Sequence, residues 1–420
     1  MSFTTSLTGL NAAAADLNVK SNNIANVNTT GFKSSRAEFA DVYAVSAFGS
    51  SSTAIGSGTV LSNVAQQFNQ GNLEFTDSSL DLAISGEGFF ALSPTATSGE
   101  VVYSRAGALG VDEDGYVVNS SGLYLLTFPV NADGTVSSTS LSSASPLLLP
   151  NDAGTPQATS TAALATNLSS TVTSVAGPID PLDATTYNNS TSTTIYDSLG
   201  NEHVMTTYYR KTGTANEWEV DIYVDNPAGS QTRISPATPT TLIFDPASGG
   251  ALDAASPTDI ALNVTAWDSG ATVPQTFNVS VLGTTQNSGA FSVSSTSQDG
   301  FATGQLSGLE IGENGLVKAS YTNGQSTPLG KIVLATFANP QGLSQIGGTA
   351  WRETLASGAV LAGEAGSGRL GLIQSGALEA STTDLTSELV GLITAQRNFQ
   401  ANSKAIETNN TITQTIINLA

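Results

Sequence analysis

The sequence lacks cysteine altogether and contains a single histidine, His203, in 420 residues. The absence of cysteine excludes a disulfide framework, a thiolate nucleophile and any zinc site built on cysteine. Basic residues are also scarce, with 13 Lys and Arg against 34 Asp and Glu, which gives a formal net charge of −21. Because binding to phosphates or anionic lipids requires clustered positive charge, we expect neither nucleic acid nor a membrane as a partner.

Long apolar runs are missing as well. No stretch of 18 or more apolar residues is present, so no transmembrane helix is predicted. Residues 1–30 lack the basic stretch, apolar core and small-residue cleavage site of a secretory signal peptide. If the protein leaves the cell, we therefore expect export without a cleaved signal. The length predicts two to four domains, since single cores stop growing at roughly 250–300 residues.

Both ends of the chain show the spacing of an amphipathic helix, with apolar positions that alternate by three and four residues. The predicted seam residues are Phe3, Leu7, Leu10, Ala14, Leu17 and Ile24 at one end and Leu385, Leu389, Leu392, Phe399, Ile406 and Ile417 at the other. We predict that the two helices pack together as a coiled coil. An ordinary intramolecular pair is one interpretation. The other is that the pair also contacts other subunits, which polar seam positions such as Ser21 and Gln396 favour.

The ends of these helices are marked by turn and capping residues. Asn, Thr and Gly cluster at Asn28–Gly31, where the first helix is expected to stop. Thr382, Thr383 or Asp384 can cap the start of the second helix.

Between residues 70 and 375 the pattern changes to short apolar or alternating runs separated by turn residues. The predicted hairpin turns are Asp114-Gly115, Asp133-Gly134, Leu199-Gly200-Asn201, Glu313-Asn314-Gly315 and Asn323-Gly324. The predicted fold class is mainly β with α-helical termini, in a nested multidomain chain. Two β-rich, sandwich-like or barrel-like domains are expected, the outer one inserted in the inner one.

The predicted domain boundaries follow shifts in composition. The four proposed parts are a terminal helical domain (1–30 and 380–420), a connecting segment (31–75 and 360–379), an inner β domain (76–147 and 298–359) and an inserted outer β domain (148–297). The outer block holds 13 acidic and 3 basic residues, so its charge is 3 − 13 = −10. This is about half of the negative charge of the chain, and we expect the block to face solvent.

No residue pattern meets the requirements of a catalytic, cofactor-binding or metal site. His203 lies in an alternating run after a turn and has no evident partner group. Asp112–Gly115 lacks the ligand spacing of a calcium loop, and Gly86-Glu87-Gly88 has no following helix to bind a dinucleotide. Glu217, Glu219 and Asp221 are expected on the solvent face of a strand, with Trp218 and Val220 pointing inward. We predict that the protein is not an enzyme and binds no cofactor.

Two long motifs at the chain ends carry a family resemblance. Asn22, Asn23, Ile24, Ala25, Asn26, Gly31, Phe32 and Lys33 resemble the N-terminal signature of the flagellar rod and hook axial proteins, and Gln396, Arg397, Asn398 and Phe399 resemble the matching C-terminal motif. The segment from Ile84 to Phe90 is also similar to one shared by these proteins. The inserted outer block, including Ile195–Asn201, resembles that of hook proteins rather than of the shorter rod proteins.

The resemblance implies a structural subunit of the bacterial flagellar hook. Such subunits polymerise into a curved flexible tube, a universal joint that connects the rod to the filament and transmits motor torque. It further implies an extracellular location and export through the flagellar type III apparatus. The implied partners are further copies of the chain, the distal rod protein, the hook cap protein and the hook-filament junction proteins. A distal-rod-type axial protein, a secreted β-rich adhesin and a glycan-cleaving β protein remain as alternatives.

Overall fold

A computed structural model describes residues 3–42, 56–97, 99–150, 154–225 and 231–419. Within these ranges the long helices lie at the two chain ends, and strands fill the middle. Helix α1 spans Phe3–Ala25 and helix α2 spans Leu385–Leu419. The predicted fold class, mainly β with helical termini, is confirmed.

The strands of the first part of the chain are β1 (Ser35–Asp41), β2 (Thr59–Gln66), β3 (Leu73–Phe75), β4 (Leu82–Ser85), β5 (Phe89–Ser93), β6 (Val102–Ser104), β7 (Leu109–Val111), β8 (Val117–Asn119), β9 (Tyr124–Phe128) and β10 (Ser145–Pro146). The middle contains β11 (Thr161–Ser169), β12 (Asn189–Tyr196), β13 (Glu202–Lys211), β14 (Glu217–Asp225), β15 (Gln231–Arg233), β16 (Thr240–Asp245), β17 (Ala251–Leu252), β18 (Asp259–Val264), β19 (Gln275–Ser280), β20 (Thr285–Asn287) and β21 (Ser292–Gln298). The last part contains β22 (Leu306–Ile311), β23 (Leu316–Tyr321), β24 (Ser326–Ile332), β25 (Leu334–Thr336), β26 (Ser344–Gly347), β27 (Ala350–Arg352), β28 (Leu361–Gly363), β29 (Leu372–Ser375) and β30 (Ala377–Glu379).

The helix ends follow local side-chain chemistry. Asp384 caps α2, because its carboxylate accepts a hydrogen bond from the backbone N–H of Ser387 (2.9 Å). Of the three predicted caps, Asp384 is therefore the one used. Helix α1 ends at Ala25, slightly before the predicted stop, where Asn26 begins a turn closed by a hydrogen bond from the Thr29 hydroxyl to the Asn26 side chain (3.1 Å).

The chain divides into two units. The first contains Met1–Asn151, Gly308–Ser320 and Ser326–Ala420, and the second contains Asp152–Ser307 and Tyr321–Gln325. The finer boundaries between helical domain, connecting segment and inner β domain stay predictions.

In the first unit, the main sheet has the strand order β22-β23-β24-β9-β5-β6-β27-β26. Aromatic side chains pack edge to face in its core, with ring centres 5.7 Å apart for Phe89 and Trp351 and 4.8 Å apart for Tyr103 and Phe337. The predicted turn between β7 and β8 is confirmed: Gly115 has φ of +88°, a left-handed conformation that glycine adopts without steric cost.

Strands β1 and β2 form a separate two-stranded antiparallel ribbon in the first unit. Its ladder runs from Ser35 opposite Gln66 to Asp41 opposite Thr59, with a bulge between Glu38 and Phe39. The remainder of the predicted connecting segment at residues 43–55 lies outside the described residues.

The second unit contains a mixed sheet in the order β12-β13-β14-β16-β17-β20-β11-β19-β18. The predicted turn at Leu199-Gly200-Asn201 joins the antiparallel pair β12 and β13. Trp218 and Val220 are fully buried in its core, as predicted from alternation on β14.

The prediction for Asp221 was wrong, because this residue is buried rather than solvent-facing. Arg233 on the neighbouring strand β15 pairs with its carboxylate at 2.5 Å, and the Ser235 hydroxyl donates to the same oxygen at 3.0 Å. Burial raises the pKa of Asp221, and the charge of Arg233 opposes this shift. Alternation along one strand could not reveal the neighbour that covers this position.

Candidate functional site

The two terminal helices pack against each other in antiparallel orientation. Near the end of α1, Lys20 forms an ion pair with Glu388 in the first turn of α2 (3.1 Å). Towards the start of α1, Gly9 lies against Asn402 at the middle of α2, and a Cβ at Gly9 would come within 2.7 Å of the Asn402 Oδ1. The predicted pairing of the helices is therefore present in the described residues.

The helix faces in contact consist of small and polar residues. In α1 the buried positions are Ser6, Ala13 and Asn23, and in α2 Ala395 is fully buried. Gly391 is also in the contact, since a Cβ at this position would lie 3.1 Å from Cε of Lys20. Small side chains let the two backbones approach closely, but they bury little apolar surface.

In both helices, the predicted apolar seam lies on a different face from the one that is buried between α1 and α2. Compared with the buried positions, the predicted positions come one residue later in the sequence, which is about 100° around an α-helix. The exposed seam residues are Phe3 (49% exposed), Leu7 (39%), Leu385 (44%), Leu389 (44%), Phe399 (37%) and Ile417 (68%). The half-buried ones are Leu10, Ala14, Leu17, Ile24, Leu392 and Ile406. Intramolecular packing thus leaves half of the predicted seam residues exposed and none of them fully buried.

Asn23 ties the helix pair to the β1–β2 ribbon. Its amide accepts from the backbone N–H of Ser35 (2.9 Å) and donates to the Ser35 carbonyl (2.7 Å), as a partner strand would. The same amide donates to the Glu388 carboxylate at 3.0 Å. Because Asn23 is fully buried, each of these bonds is shielded from water. One residue of the N-terminal motif therefore connects α1, α2 and β1.

Gly31 and Lys33 connect the same region to β30. Gly31 has φ of +68°, and a Cβ there would lie 2.5 Å from the backbone nitrogen of Ala106, so the position requires glycine. The ammonium of Lys33 lies 2.6 Å from the carboxylate of Glu379, and both side chains are completely inaccessible to solvent. Lys33 also donates to the Asn69 carbonyl at 2.6 Å.

Arg105 completes this buried charge cluster, defined by Lys33, Arg105 and Glu379. Its guanidinium lies 3.2 Å from the second Glu379 oxygen and donates to the Gly86 carbonyl at 3.0 Å. Burial lowers the pKa of Lys33 and of Arg105, and the Glu379 carboxylate opposes both shifts. The cluster thus fixes the junction of the terminal helices with the β strands of the first unit.

The remaining motif residues differ in exposure between the two ends of the chain. In the N-terminal motif, Asn22 and Ala25 are exposed, while Asn26 is half-buried and Phe32 is buried. In the C-terminal motif, Gln396, Arg397, Asn398 and Phe399 are all exposed on α2. Arg397 forms no ion pair within the part of the chain that the structure describes. The N-terminal motif is therefore largely used inside the subunit, whereas the C-terminal motif is left at its surface.

The β1–β2 ribbon runs along α1 and carries a second uncovered apolar surface. Asn23, at the end of α1, bonds Ser35, while the Thr8 hydroxyl, near its start, accepts from the N–H of Thr59 at 3.4 Å. Exposed apolar side chains of this ribbon are Phe39 (41%), Val60 (53%), Leu61 (39%) and Val64 (41%). A ribbon with uncovered apolar side chains and unpaired edges is a surface for pairing with another chain.

A polar cleft of about 390 Å³ lies beside the end of α1. It is lined by uncharged side chains, among them Asn22, Asn26, Thr29, Asn119 and Thr349. Among the described residues no three His, Asp or Glu side chains converge as metal ligands. Neither helix in the described ranges is long and apolar enough to cross a membrane.

His203 lies on β13 next to the predicted turn, and it belongs to a polar cluster of the second unit. Its Nε2 is 3.1 Å from Oδ2 of Asp197, and its ring stacks on Trp267 with centres 4.0 Å apart. The Ser269 hydroxyl donates to the same Asp197 oxygen at 2.5 Å. Because the serine is bonded to the carboxylate and not to the imidazole, the histidine is not placed to activate it as a nucleophile. This geometry stabilises a turn.

Sequence reasoning missed the residues that complete the junction. Glu379 and Arg105 lie far from Lys33 in sequence, and nothing in their local spacing indicates burial. One signal was available for Lys33: it stands in a long motif of a chain with few basic residues, so an internal partner carboxylate could have been sought.

Sequence comparison relates the parts of the chain to known families. The family described as "Flagella basal body rod protein" matches residues 3–33, and "Flagellar hook protein FlgE/F/G D1 domain" matches residues 83–155. "Flagellar basal body protein FlaE D2 domain" matches residues 167–301, and "Flagellar basal body rod FlgEFG protein C-terminal" matches residues 374–419.

Individual proteins resemble the chain over its whole length. The flagellar hook protein FlgE of Salmonella typhimurium is 40% identical over 423 residues, with 100% of both chains covered. FlgE of Escherichia coli is 40% identical over 427 residues, again with 100% of both chains covered. The crystal structure of Helicobacter pylori flagellar hook protein FlgE2 has a TM-score of 0.54 at 18% identity, covering 73% of this chain and 100% of that one. At this identity the structural likeness shows a shared fold.

Paired terminal helices, joined to the β strands through the N-terminal motif, together with the matching family regions, define the class of axial structural proteins of the bacterial flagellum. Full-length similarity narrows the class further. This chain belongs to the flagellar hook protein family.

Proposed function

We propose that this chain is the subunit that polymerises into the curved, flexible tube of the flagellar hook, which connects the rod to the filament and transmits motor torque. One observation carries the proposal. Both terminal helices pair through small and polar residues and leave residues such as Leu7, Leu389 and Phe399 exposed. Exposed apolar stripes on paired helices are stabilised when other copies cover them.

In the proposed tube, the parts of the subunit at different distances from the tube axis have different roles. The terminal helices form the inner tube, where the apolar stripes are buried between subunits and resist torsion. The connecting segment, residues 31–75, bridges neighbouring subunits, and the uncovered apolar side chains of the β1–β2 ribbon support this role. The β domains lie outside and touch through small polar residues and water, so their contacts are individually weak and can rearrange as the tube turns.

The proposed partners follow from family membership. Beside copies of itself, the chain contacts the distal rod protein at one end of the tube and the hook-filament junction proteins at the other. Assembly takes place beneath the hook cap protein, after export through the flagellar type III apparatus without a cleaved signal peptide. The proposed location is the extracellular hook of the flagellum.

We also propose that the protein is not an enzyme and needs no cofactor. The polar cluster around His203 supports this, because Asp197 accepts from both the imidazole and the Ser269 hydroxyl. In this proposal, the acidic surface of the outer β domain keeps the subunit soluble, and the domain contributes to the shape of the tube rather than to catalysis.

Electron microscopy of the concentrated full-length protein tests the proposal. We expect helical tubes, and deletion of residues 1–24 or 385–420 should leave a soluble β-rich protein that forms none. Deletion of residues 148–297 is the contrasting variant, for which tubes of altered curvature are expected. Tubes from the terminally truncated chains, or no tubes from the full chain under any condition, would contradict the inner-tube assignment.

A further inference from the structure

We infer that Gln66 and its partners Gln341, Gln345 and Trp351, together called the glutamine latch, set the direction of the β1–β2 ribbon relative to residues 341–351 of the first unit and thereby the curvature of the polymer. This inference rests on the proposed hook function. The latch lies where strand β2 ends, and its partners lie in one short segment, residues 341–351.

All four polar groups of Gln66 bond to that segment. Its backbone N–H donates to Oε1 of Gln341 at 3.2 Å, and its carbonyl accepts from Nε2 of Gln341 at 2.6 Å. Its side-chain Nε2 donates to Oε1 of Gln345 at 3.0 Å. Its Oε1 accepts from the indole N–H of Trp351 at 2.6 Å.

Donor and acceptor chemistry fixes how these amides are oriented. The Trp351 indole can only donate, so the oxygen of the Gln66 amide must face it and the nitrogen must face Gln345. Gln345 therefore acts as an acceptor. Gln341 faces a backbone donor and a backbone acceptor, neither of which can exchange roles, so both ends of its amide are required. The two partner glutamines thus differ in what they must supply.

The latch is built to open, in contrast to the buried charge cluster beside it. Gln341 and Gln345 are exposed, and the bonds that these two residues make with Gln66 are between neutral groups, so water can replace those bonds at small cost. Immediately next to the latch the ribbon base is held firmly: Gln67 N–H donates to the Ser34 carbonyl at 2.8 Å, and Ser35 is bonded to the buried Asn23. An opened latch lets the ribbon turn about a base that stays attached.

In a bent rotating tube, each subunit must change its spacing to its neighbours within every turn. The ribbon is the part proposed to bridge neighbours, so a small change of its direction alters that spacing. The latch supplies two states, closed and open, at the root of the bridging element. Variants that keep it open should change the shape of the tube without preventing its assembly.

Two isosteric variants, each adding one negative charge to the same segment, distinguish opening of the latch from an effect of the added charge alone. Gln341→Glu loses the donor to the Gln66 carbonyl and sets a carboxylate oxygen against it, so the latch opens. Gln345→Glu keeps the one role that Gln345 has, as an acceptor, so the latch stays closed. Gln341→Ala removes both bonds that Gln341 makes to Gln66, the accepted one as well as the donated one, without adding charge. None of these positions lies in the buried junction.

Two measurements are made on full-length protein. Amide hydrogen exchange of the monomer should show the Gln66 N–H exchanging about five-fold faster in Gln341→Ala, which corresponds to the loss of one net hydrogen bond. Electron microscopy of assembled tubes should show a changed radius of curvature for Gln341→Glu and Gln341→Ala, and an unchanged one for Gln345→Glu.

The outcomes distinguish this inference from the proposed function. Faster exchange at Gln66 with an unchanged radius of curvature would overturn the role of the latch while leaving the hook subunit intact. Loss of tubes in the Gln341 variants would overturn it too, since the contact would then be needed for assembly itself. If the unsubstituted chain forms no tubes, the proposed function fails, and the exchange data still report whether the latch exists.

Discussion

Glu379 accepts from two cations, Lys33 and Arg105, and all three side chains are buried. We expect Glu379→Gln to destabilise the protein by about 3–5 kcal/mol, because it leaves two buried positive charges without their carboxylate. Denaturant unfolding followed by circular dichroism measures the loss. The control is Glu100→Gln, whose partner Arg352 is half exposed; this variant should cost about 0–1 kcal/mol. Equal effects of the two variants would show that the cluster contributes no more than a surface pair.

Like Glu379 in the first unit, Asp197 in the second unit is a buried carboxylate with several hydrogen-bond partners. Its environment predicts that the stability of the second unit depends on pH. Burial alone would raise its pKa, but hydrogen bonds from Ser269, Asn201 and His203 outweigh burial and hold the pKa well below its usual range. A carboxyl group with a depressed folded-state pKa contributes stability above its unfolded pKa of about 3.9, and this stability is lost as pH falls below that value.

Asp197→Asn should therefore remove part of the acid sensitivity of the second unit. At pH 7 the variant should be less stable by about 1–3 kcal/mol, because a neutral amide replaces a carboxylate that accepts several bonds. Between about pH 4 and pH 2 the difference from the unsubstituted protein should shrink. Thermal unfolding at several pH values checks this. A difference that is constant with pH would mean that the charge of Asp197 is not what stabilises the turn.

At the scale of the helix, the two faces of α2 predict opposite phenotypes for the same substitution. Leu389 is 44% exposed, whereas Ala395 is fully buried against α1. Leu389→Asp should leave the monomer folded and its helix content unchanged, but abolish tubes, because it places a charge in the proposed contact between subunits. Ala395→Asp should instead lower the helix content of the monomer, since the buried charge separates the helices. Circular dichroism and sedimentation of polymers distinguish the two; a Leu389→Asp protein that still polymerises would argue against the stripe as an interface.

The same two helices show how far sequence reasoning reaches. Their existence, positions and pairing were predictable, because a three–four spacing of apolar residues indicates an amphipathic helix whatever the rest of the structure is. The face used for pairing was not predictable. Periodicity shows which apolar residues form a stripe, but not whether the same chain or another chain buries that stripe. Gly9 and Gly391 could have indicated close helix approach, yet glycine is common in this sequence. The buried charge cluster and the glutamine latch join residues far apart in sequence, and local patterns carry no information on such distances.

At the scale of the whole molecule, the charge of −21 opposes assembly. Every added subunit brings further negative charge to the tube, and about half of it lies in residues 148–297. Salt shortens the Debye length from about 30 Å at 0.01 M to about 10 Å at 0.1 M ionic strength, so repulsion between neighbouring subunits should weaken strongly over this range. The same rise in ionic strength does not weaken the attraction between the apolar stripes of the helices, because salt does not screen the burial of apolar surface.

We therefore expect the critical concentration for tube formation to fall as NaCl is raised from about 0.01 M to about 0.15 M. Sedimentation of polymers at a series of protein concentrations measures it at each salt concentration. A chain lacking residues 148–297 serves as the comparison: with 13 acidic and 3 basic residues removed, its charge is −21 + 10 = −11, and its critical concentration should depend less on salt. A critical concentration that rises with salt in both chains would mean that attraction between opposite charges, and not apolar burial between the terminal helices, drives assembly.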